Sequence, residues 1–139
     1  MITIHNVDET VLFYGSLGAE RKEIGNCTAF TFFDKTSHVH FWGDLRGFCV
    51  ASVDVVYPKD MVIRSQIQQR YIGISFTEEG QVVSYNRKAK VRESRNGIDC
   101  YVFNSPVPLF IKISGGQRLR FRGIYFQESF FRENNVALY

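Results

Sequence analysis

This 139-residue sequence predicts a mostly β domain, folded as an antiparallel sandwich or barrel. Two observations carry the expectation. Apolar residues recur with a period of two, most clearly where Ile72, Ile74 and Phe76 alternate with Tyr71, Gly73, Ser75 and Thr77. Gly, Pro and Asn interrupt these runs at intervals of about ten residues, the spacing of short strands joined by tight turns. The length fits one domain with a genuine hydrophobic core.

The elements follow in order. Residues 1–26 have no clear period and are broken by Gly15, Gly18 and Gly25; Val11 to Tyr14 fits either a strand or the end of a short helix, and a flexible N-terminal arm is expected. Thr28 to Phe33 and Val39 to Trp42 are strands on either side of the Asp34-Lys-Thr-Ser turn. Phe48 to Val56 is a stronger one, with Ala51, Val53 and Val55 facing in and Ser52 and Asp54 facing out. After Tyr57-Pro58-Lys59-Asp60, residues Met61, Ile63, Ser65 and Ile67 share a face opposite Arg64 and Gln66. Tyr71 to Thr77 presents Ile72, Ile74 and Phe76 as its apolar face, and Glu79-Gly80 turns the chain into Val82 to Tyr85.

Ile98 to Phe103, Leu109 to Ile113 and Leu119 to Phe126 complete the strands, with Gly115-Gly116 as a hairpin turn. In the last strand Leu119 and Phe121 share one parity, whereas beyond Gly123 the apolar residues are Ile124 and Phe126. That switch predicts a bulge at the glycine. From Gln127 the alternation is lost, as at the start of a helix. The division is an arm over 1–26, a barrel over 27–126 and a helix start over 127–139.

Bulk properties exclude several classes. A formal charge of +3 does not by itself argue for nucleic acid. Cys27, Cys49 and Cys100 are an odd, widely spaced set in strand-like surroundings, as expected of reduced thiols in a cytoplasmic protein. The N-terminus has no signal-peptide pattern, and no stretch has transmembrane length, so no membrane partner is expected.

His38-Val-His40 followed by Asp44 is the sharpest chemical motif. Alternate strand positions put both imidazoles on one face, in a spacing similar to the first metal motif of cupin barrels. The only other histidine is His5, so a metal site is one ligand short, and neither a metal nor a cofactor is expected. No nucleophile elbow, convergent carboxylate pair or phosphate loop is present, so no catalytic residues are assigned. Arg87, Lys88, Lys90, Arg92 and Arg95 cluster, and Arg118, Arg120 and Arg122 align on one strand. Without interleaved aromatics, these are better explained as a charged sheet edge than as a single-strand nucleic-acid surface.

Three segments carry a family resemblance. They are Arg70-Tyr-Ile-Gly-Ile-Ser-Phe-Thr-Glu-Glu-Gly80, Asn96-Gly-Ile-Asp-Cys-Tyr-Val-Phe-Asn-Ser-Pro-Val-Pro108 and Arg122-Gly-Ile-Tyr-Phe-Gln-Glu-Ser-Phe-Phe131. Their order is similar to that of the N-terminal domain of AraC-type transcriptional regulators. The resemblance implies a cupin-like, jelly-roll barrel that binds a small-molecule effector and forms a homodimer. DNA would be contacted only through a C-terminal helix-turn-helix domain that this chain does not include. A pocket in such a barrel would be lined by side chains with an apolar body and a polar tip. His38, His40 and Trp42 are expected to share one wall. Tyr85 and Tyr101 are added as partners, and Arg64 as an anchor for a carboxylate or a hydroxyl; Tyr71 lies on the wrong face. The alternative is a cupin-type metal-dependent enzyme using His38, His40 and Asp44.

Overall fold

The computed structural model describes residues 2–4, 7–44, 47–66, 71–85, 91–95, 98–103 and 108–129. Over 91–95 and 98–103 the description is of backbone pairing alone. The elements in chain order are β1 (Ile2–Ile4), α1 (Val7–Ser16), β2 (Glu20–Ile24), β3 (Cys27–Thr31), β4 (His38–Gly43), β5 (Phe48–Val56) and β6 (Met61–Ser65). They continue with β7 (Tyr71–Glu79), β8 (Gln81–Tyr85), β9 (Val91–Arg95), β10 (Ile98–Phe103), β11 (Leu109–Ile113) and β12 (Arg118–Gln127).

The strands form two sheets, β1-β6-β11-β8-β9 and β10-β7-β12-β5-β4-β3-β2. From β5 onward the connectivity is that of a jelly roll: β5-β12-β7-β10 faces β6-β11-β8-β9, and the chain crosses between layers at almost every turn. The β2-β3-β4 meander widens one sheet, and β1 adds a parallel edge strand to the other. The mostly β jelly roll expected from the alternation is therefore the observed fold. Because β11 and β12 lie in different sheets, Gly115-Gly116 is a crossing rather than a hairpin. It is tied down where the Gly115 amide donates to Asp60 Oδ1 at 2.7 Å and the Gly116 amide to the Tyr57 carbonyl at 3.0 Å.

Alternation decides which side chains meet between the layers. On β5, Cys49, Ala51, Val53 and Val55 are buried and the even positions face out, as the sequence predicts. Val39 and Phe41 of β4 and Phe30 of β3 join them, against Met61 and Ile63 of β6 and Ile113 of β11. Burial pushes the Cys49 thiol up to about 11, with the negative charge of Asp44 adding to the effect. Cys27 and Cys49 are both free thiols.

The expected arm is instead part of the fold. Residues 2–4 pair with β6, and 20–24 pair with β3. Between them α1 has Glu9 in its first turn, where the helix dipole favours a carboxylate. It stops at Gly18, whose φ of +82° closes the helix as a left-handed C-terminal residue. The helix is short, and its inward side chains Phe13 and Tyr14 are what fix it. Tyr14 packs against Phe13, Phe30, Phe41 and Phe32 at centroid separations of 5.2, 5.6, 5.9 and 6.5 Å. Its hydroxyl lies 3.4 Å from that of Tyr57. Burial raises the pKa of both phenols, so this is a neutral pair.

Two further expectations are corrected. β12 keeps one register with β5 from Arg118 to Phe126, so there is no bulge at Gly123. The irregularity lies against β7, between Arg120 and Phe121, where Glu78 is the extra residue. The parity of β12 never switches: its outer face simply changes from Arg118, Arg120 and Arg122 to Ile124 and Phe126. On β7 the interior is the reverse of that expected. Gly73, Ser75 and Thr77 are buried, while Ile74 and Phe76 are 38% and 46% exposed. After β12, residues 128 and 129 are helical, and the remainder of the expected helix lies outside the described residues.

Candidate ligand site

The two ends of the interior differ in chemistry. Where α1, β3, β4 and β5 meet, inward positions are Phe, Tyr and Val, and the space between the layers is filled. Where β7 and β12 face β6, β8 and β11, the described inward residues of β7 are small or hydroxylated, beside the apolar Leu119 and Phe121 of β12, Met61 and Ile63 of β6 and Ile111 and Ile113 of β11. Ser75 and Thr77 are 7% and 2% exposed, and Gly73 and Gly123 are buried with them. In register, Gly123 pairs with Ser75, and Tyr125 with Gly73. Across the gap, buried Ser65 follows Met61 and Ile63 on the inward face of β6, while Ile111 and Ser84 are paired on the same face of their sheet.

Tyr125 shows how close the packing is on this wall. A Cβ at Gly123 would stand 2.6 Å from the Tyr125 hydroxyl oxygen and 2.7 Å from two ring carbons, so the ring lies directly over the glycine. Glycine here makes room for an aromatic ring with a polar tip, beside the hydroxyls of Ser75 and Thr77. Among the described inward residues of this half none carries a charge. Hydroxyl groups and an aromatic ring are groups that contact neutral polar molecules by hydrogen bonding and stacking.

The residues expected to line a pocket fall elsewhere. His38, His40 and Trp42 do share a wall, but it is the outer face of the seven-stranded sheet, because Val39, at 0% exposure, and Phe41 take the inward positions. His38 and His40 rings are 5.2 Å apart, and His40 stacks on Trp42 at 5.5 Å and 16°. His40 titrates below the ordinary histidine range, first through burial and then through the charge of His38. Asp44 belongs to a turn in which its amide donates to the Phe48 carbonyl at 3.0 Å. Among the described residues no group of three or more His, Cys, Asp or Glu is placed to hold a metal ion. The His38-x-His40 pair also precedes the eight jelly-roll strands, so the metal-enzyme alternative is not favoured.

Arg64 and Tyr85 come together on the outer face of the other sheet, each in register with Phe110. Tyr85 and Phe110 stack at 5.2 Å and 10°, and Arg64 Nε is buried without a hydrogen-bond partner. Tyr101 pairs with Gly73 through the backbone, and its side chain lies outside the described residues, as does that of Tyr71.

The arginines of β12 are neutralised on the spot. Arg118 pairs with Asp54 and donates to Thr36 Oγ1 at 3.0 Å. The extra residue on β7 brings Glu78 to Arg120 Nε at 3.1 Å and Arg122 Nε at 3.2 Å, and Glu79 lies 3.6 Å from Arg120. A nucleic-acid surface needs cations free to replace counterions, and these three are occupied. The basic residues at 87, 88 and 90 lie outside the described residues, as do the side chains of Arg92 and Arg95.

No protein-family model matches the sequence, and no curated protein matches it. Solved structures similar to this chain include the cupin domain of Cnp3 from Schizosaccharomyces pombe, at 9% identity and a TM-score of 0.48 over 73% of this chain and 74% of that one. Another is the Cupin_2 domain of an XRE-family transcriptional regulator from Enterobacter cloacae, at 13% identity and a TM-score of 0.46 over 66% and 96% of the two chains. A third is an HTH_3-family transcriptional regulator from Vibrio cholerae, at 14% identity and a TM-score of 0.44 over 67% and 52%. Among the described residues no helix is long and apolar enough to cross a membrane.

Proposed function

We propose that this chain is a cytoplasmic, non-enzymatic domain that binds a small-molecule effector and dimerises, as part of an AraC-type transcription regulator whose DNA contacts are made by a separate helix-turn-helix domain. The observation that carries the reading is the run of small and hydroxylated inward residues Gly73, Ser75 and Thr77 on β7, with Gly123 beside them in register and Ser65 and Ser84 inward on the facing sheet. The three segments similar to AraC-type regulators supply β7, β10 and β12, three neighbouring strands of one sheet, two of which form a wall of this site. Sequence likeness and site chemistry thus point to the same strands.

The effector class follows from the lining. Hydroxyls of Ser65, Ser75, Thr77 and Ser84, with the Tyr125 ring, suit a neutral hydroxylated compound such as a sugar or a hydroxylated aromatic. A carboxylate would enter without a counter-charge from any described inward residue, which is costly in a buried site. Such a ligand alters the protein's assembly only by binding one of two states more tightly.

Thermal-shift screening of the purified chain against sugars, aromatic metabolites and carboxylates tests the reading. A neutral hydroxylated compound is expected to raise the melting temperature, by an amount that grows with its concentration. Trp42→Ala, on the outer face, is expected to leave that shift in place. Absence of any shift across the three classes would remove the sensing function.

A further inference from the structure

The outer face of the seven-stranded sheet carries an unbroken apolar row. Reading across the ladder, Ile74 of β7 pairs with Ile124 of β12, and Ile124 with Val50 of β5. Val50 pairs with Trp42 of β4, Trp42 with Cys27 of β3, and Cys27 with Ile24 of β2. Six successive strands thus each place an apolar residue in one line, and Cys100 of β10 continues the register beyond Ile74. At the β7–β12–β5 end the patch deepens: Ile72, Phe126 and Phe48 form the next row on one side, and Phe76 stands on the other. An outward sheet face in water is expected to carry polar residues at these positions. A line of apolar residues kept across a whole sheet points to something that covers it.

We propose that this face is the interface with a second copy of the chain, packed sheet against sheet about a twofold axis. The inference deepens the dimerisation part of the function proposed above and rests on it; it is independent of the ligand. Three features favour a copy of the chain over another partner. The first is size. Six strands at about 4.8 Å spacing make the row about 24 Å wide, and another wide sheet covers that width together with the deeper end. The exposed parts of Ile24, Trp42, Phe48, Ile74, Phe76 and Ile124 total on the order of 500 Å², within the roughly 300–600 Å² of a monomer's largest and often functional patch, and a large share of the roughly 800 Å² per partner of a stable interface.

The second is charge. The flank beside the row holds Arg118, Arg120 and Arg122 against Asp54, Glu78 and Glu79, all joined in ion pairs. The rim is therefore neutral: it neither repels an identical rim nor attracts an anionic surface such as nucleic acid or a phospholipid membrane. The third is symmetry. A row running across the sheet near one end of its strands can meet an identical row through a twofold rotation, so both copies bury the same residues at once, which is the requirement of an isologous dimer.

Sedimentation equilibrium of the full 139-residue chain over a wide concentration range tests this. A reversible dimer is expected for the unmodified protein. Ile124→Glu is expected to weaken the dimer at least 100-fold while the circular dichroism melt stays cooperative. Lys112→Glu, exposed on the outer face of the other sheet, is expected to leave it unchanged. Ile24→Glu, on the edge strand β2, is the second row variant if Ile124→Glu does not fold, and is expected to act in the same direction. Mixing Ile124→Glu with Ile124→Lys is expected to restore a heterodimer. A chain monomeric at every concentration overturns the inference, as does a dimer indifferent to substitutions in the row. A monomer that still shows the ligand-induced melting shift overturns the inference alone and leaves the sensing function standing.

Discussion

Replacing Tyr14 by Ala is expected to cost about 3–5 kcal/mol of stability, the range for deleting a large buried aromatic. Tyr14 is buried at the junction of α1 with β3, β4 and β5, where four phenylalanine rings surround it. Removing its ring leaves a void that Phe30 and Phe41 cannot fill without leaving their own strand positions. It also cuts the contact that holds α1 to the sheets, since among the described residues Phe13 is the one other α1 side chain in the buried core cluster. Tyr14→Phe is expected to cost far less, about 1 kcal/mol, because it removes one neutral hydroxyl–hydroxyl contact of 3.4 Å and leaves Tyr57 to find water. Urea unfolding of the three proteins measures the difference. If Tyr14→Ala matched the wild type, residues 1–16 would be the loose arm that their sequence suggests.

Ser75→Leu is expected to abolish effector binding, raising Kd at least 100-fold, while changing stability by less than about 2 kcal/mol. In a filled core an added branched side chain costs about 1–3 kcal/mol or more through strain. At Ser75 the register neighbour on β12 is Gly123, and the adjacent inward positions on its own strand are Gly73 and Thr77, so the new side chain enters the space assigned to the ligand. Isothermal titration with the compound giving the largest melting shift reads the first quantity, and denaturant unfolding reads the second. Unchanged affinity would place the ligand elsewhere.

Much of the fold was legible because alternation is a local property. The strands from Phe48 onward other than β9 (Val91–Arg95), which reads only as a run of charges, the inward set Ala51, Val53 and Val55, and the inward Met61, Ile63 and Ser65 follow from a period of two and standard turn residues. What alternation does not encode is which of two faces meets the other sheet. Ile74 and Phe76 have the composition of a core face and are outside; Ser75 and Thr77 have that of a solvent face and are inside. The same reversal explains Gly123. An apparent change of parity at Ile124 was a change in what the outer face is for, from paired arginines to the apolar row.

The site suffered for the same reason. His38, His40 and Trp42 are grouped as their spacing requires, but Val39 and Phe41 between them are the better core residues and turn the trio outward. Arg64 opposes Met61 and Ile63 on β6, and that opposition already implied an outward face. The signal for Gly73, Ser75 and Thr77 was present as three consecutive alternate positions without a large side chain. It becomes informative only once Gly123 is known to be their neighbour, a pairing between residues some fifty positions apart. The N-terminal helix could not be told from a strand at Val11–Tyr14 because it is short and interrupted by Gly15, and tertiary packing through Phe13 and Tyr14 supplies what propensity lacks.

The interior position of the effector can be read directly from amide chemical-shift changes in labelled protein titrated with the compound of largest melting shift. The account predicts that the largest changes fall on Ser65, Gly73, Ser75, Thr77, Ser84 and Gly123, with His38, His40 and the Trp42 indole little altered. Changes centred on the His38–Trp42 strand, or none at saturating ligand, would contradict it.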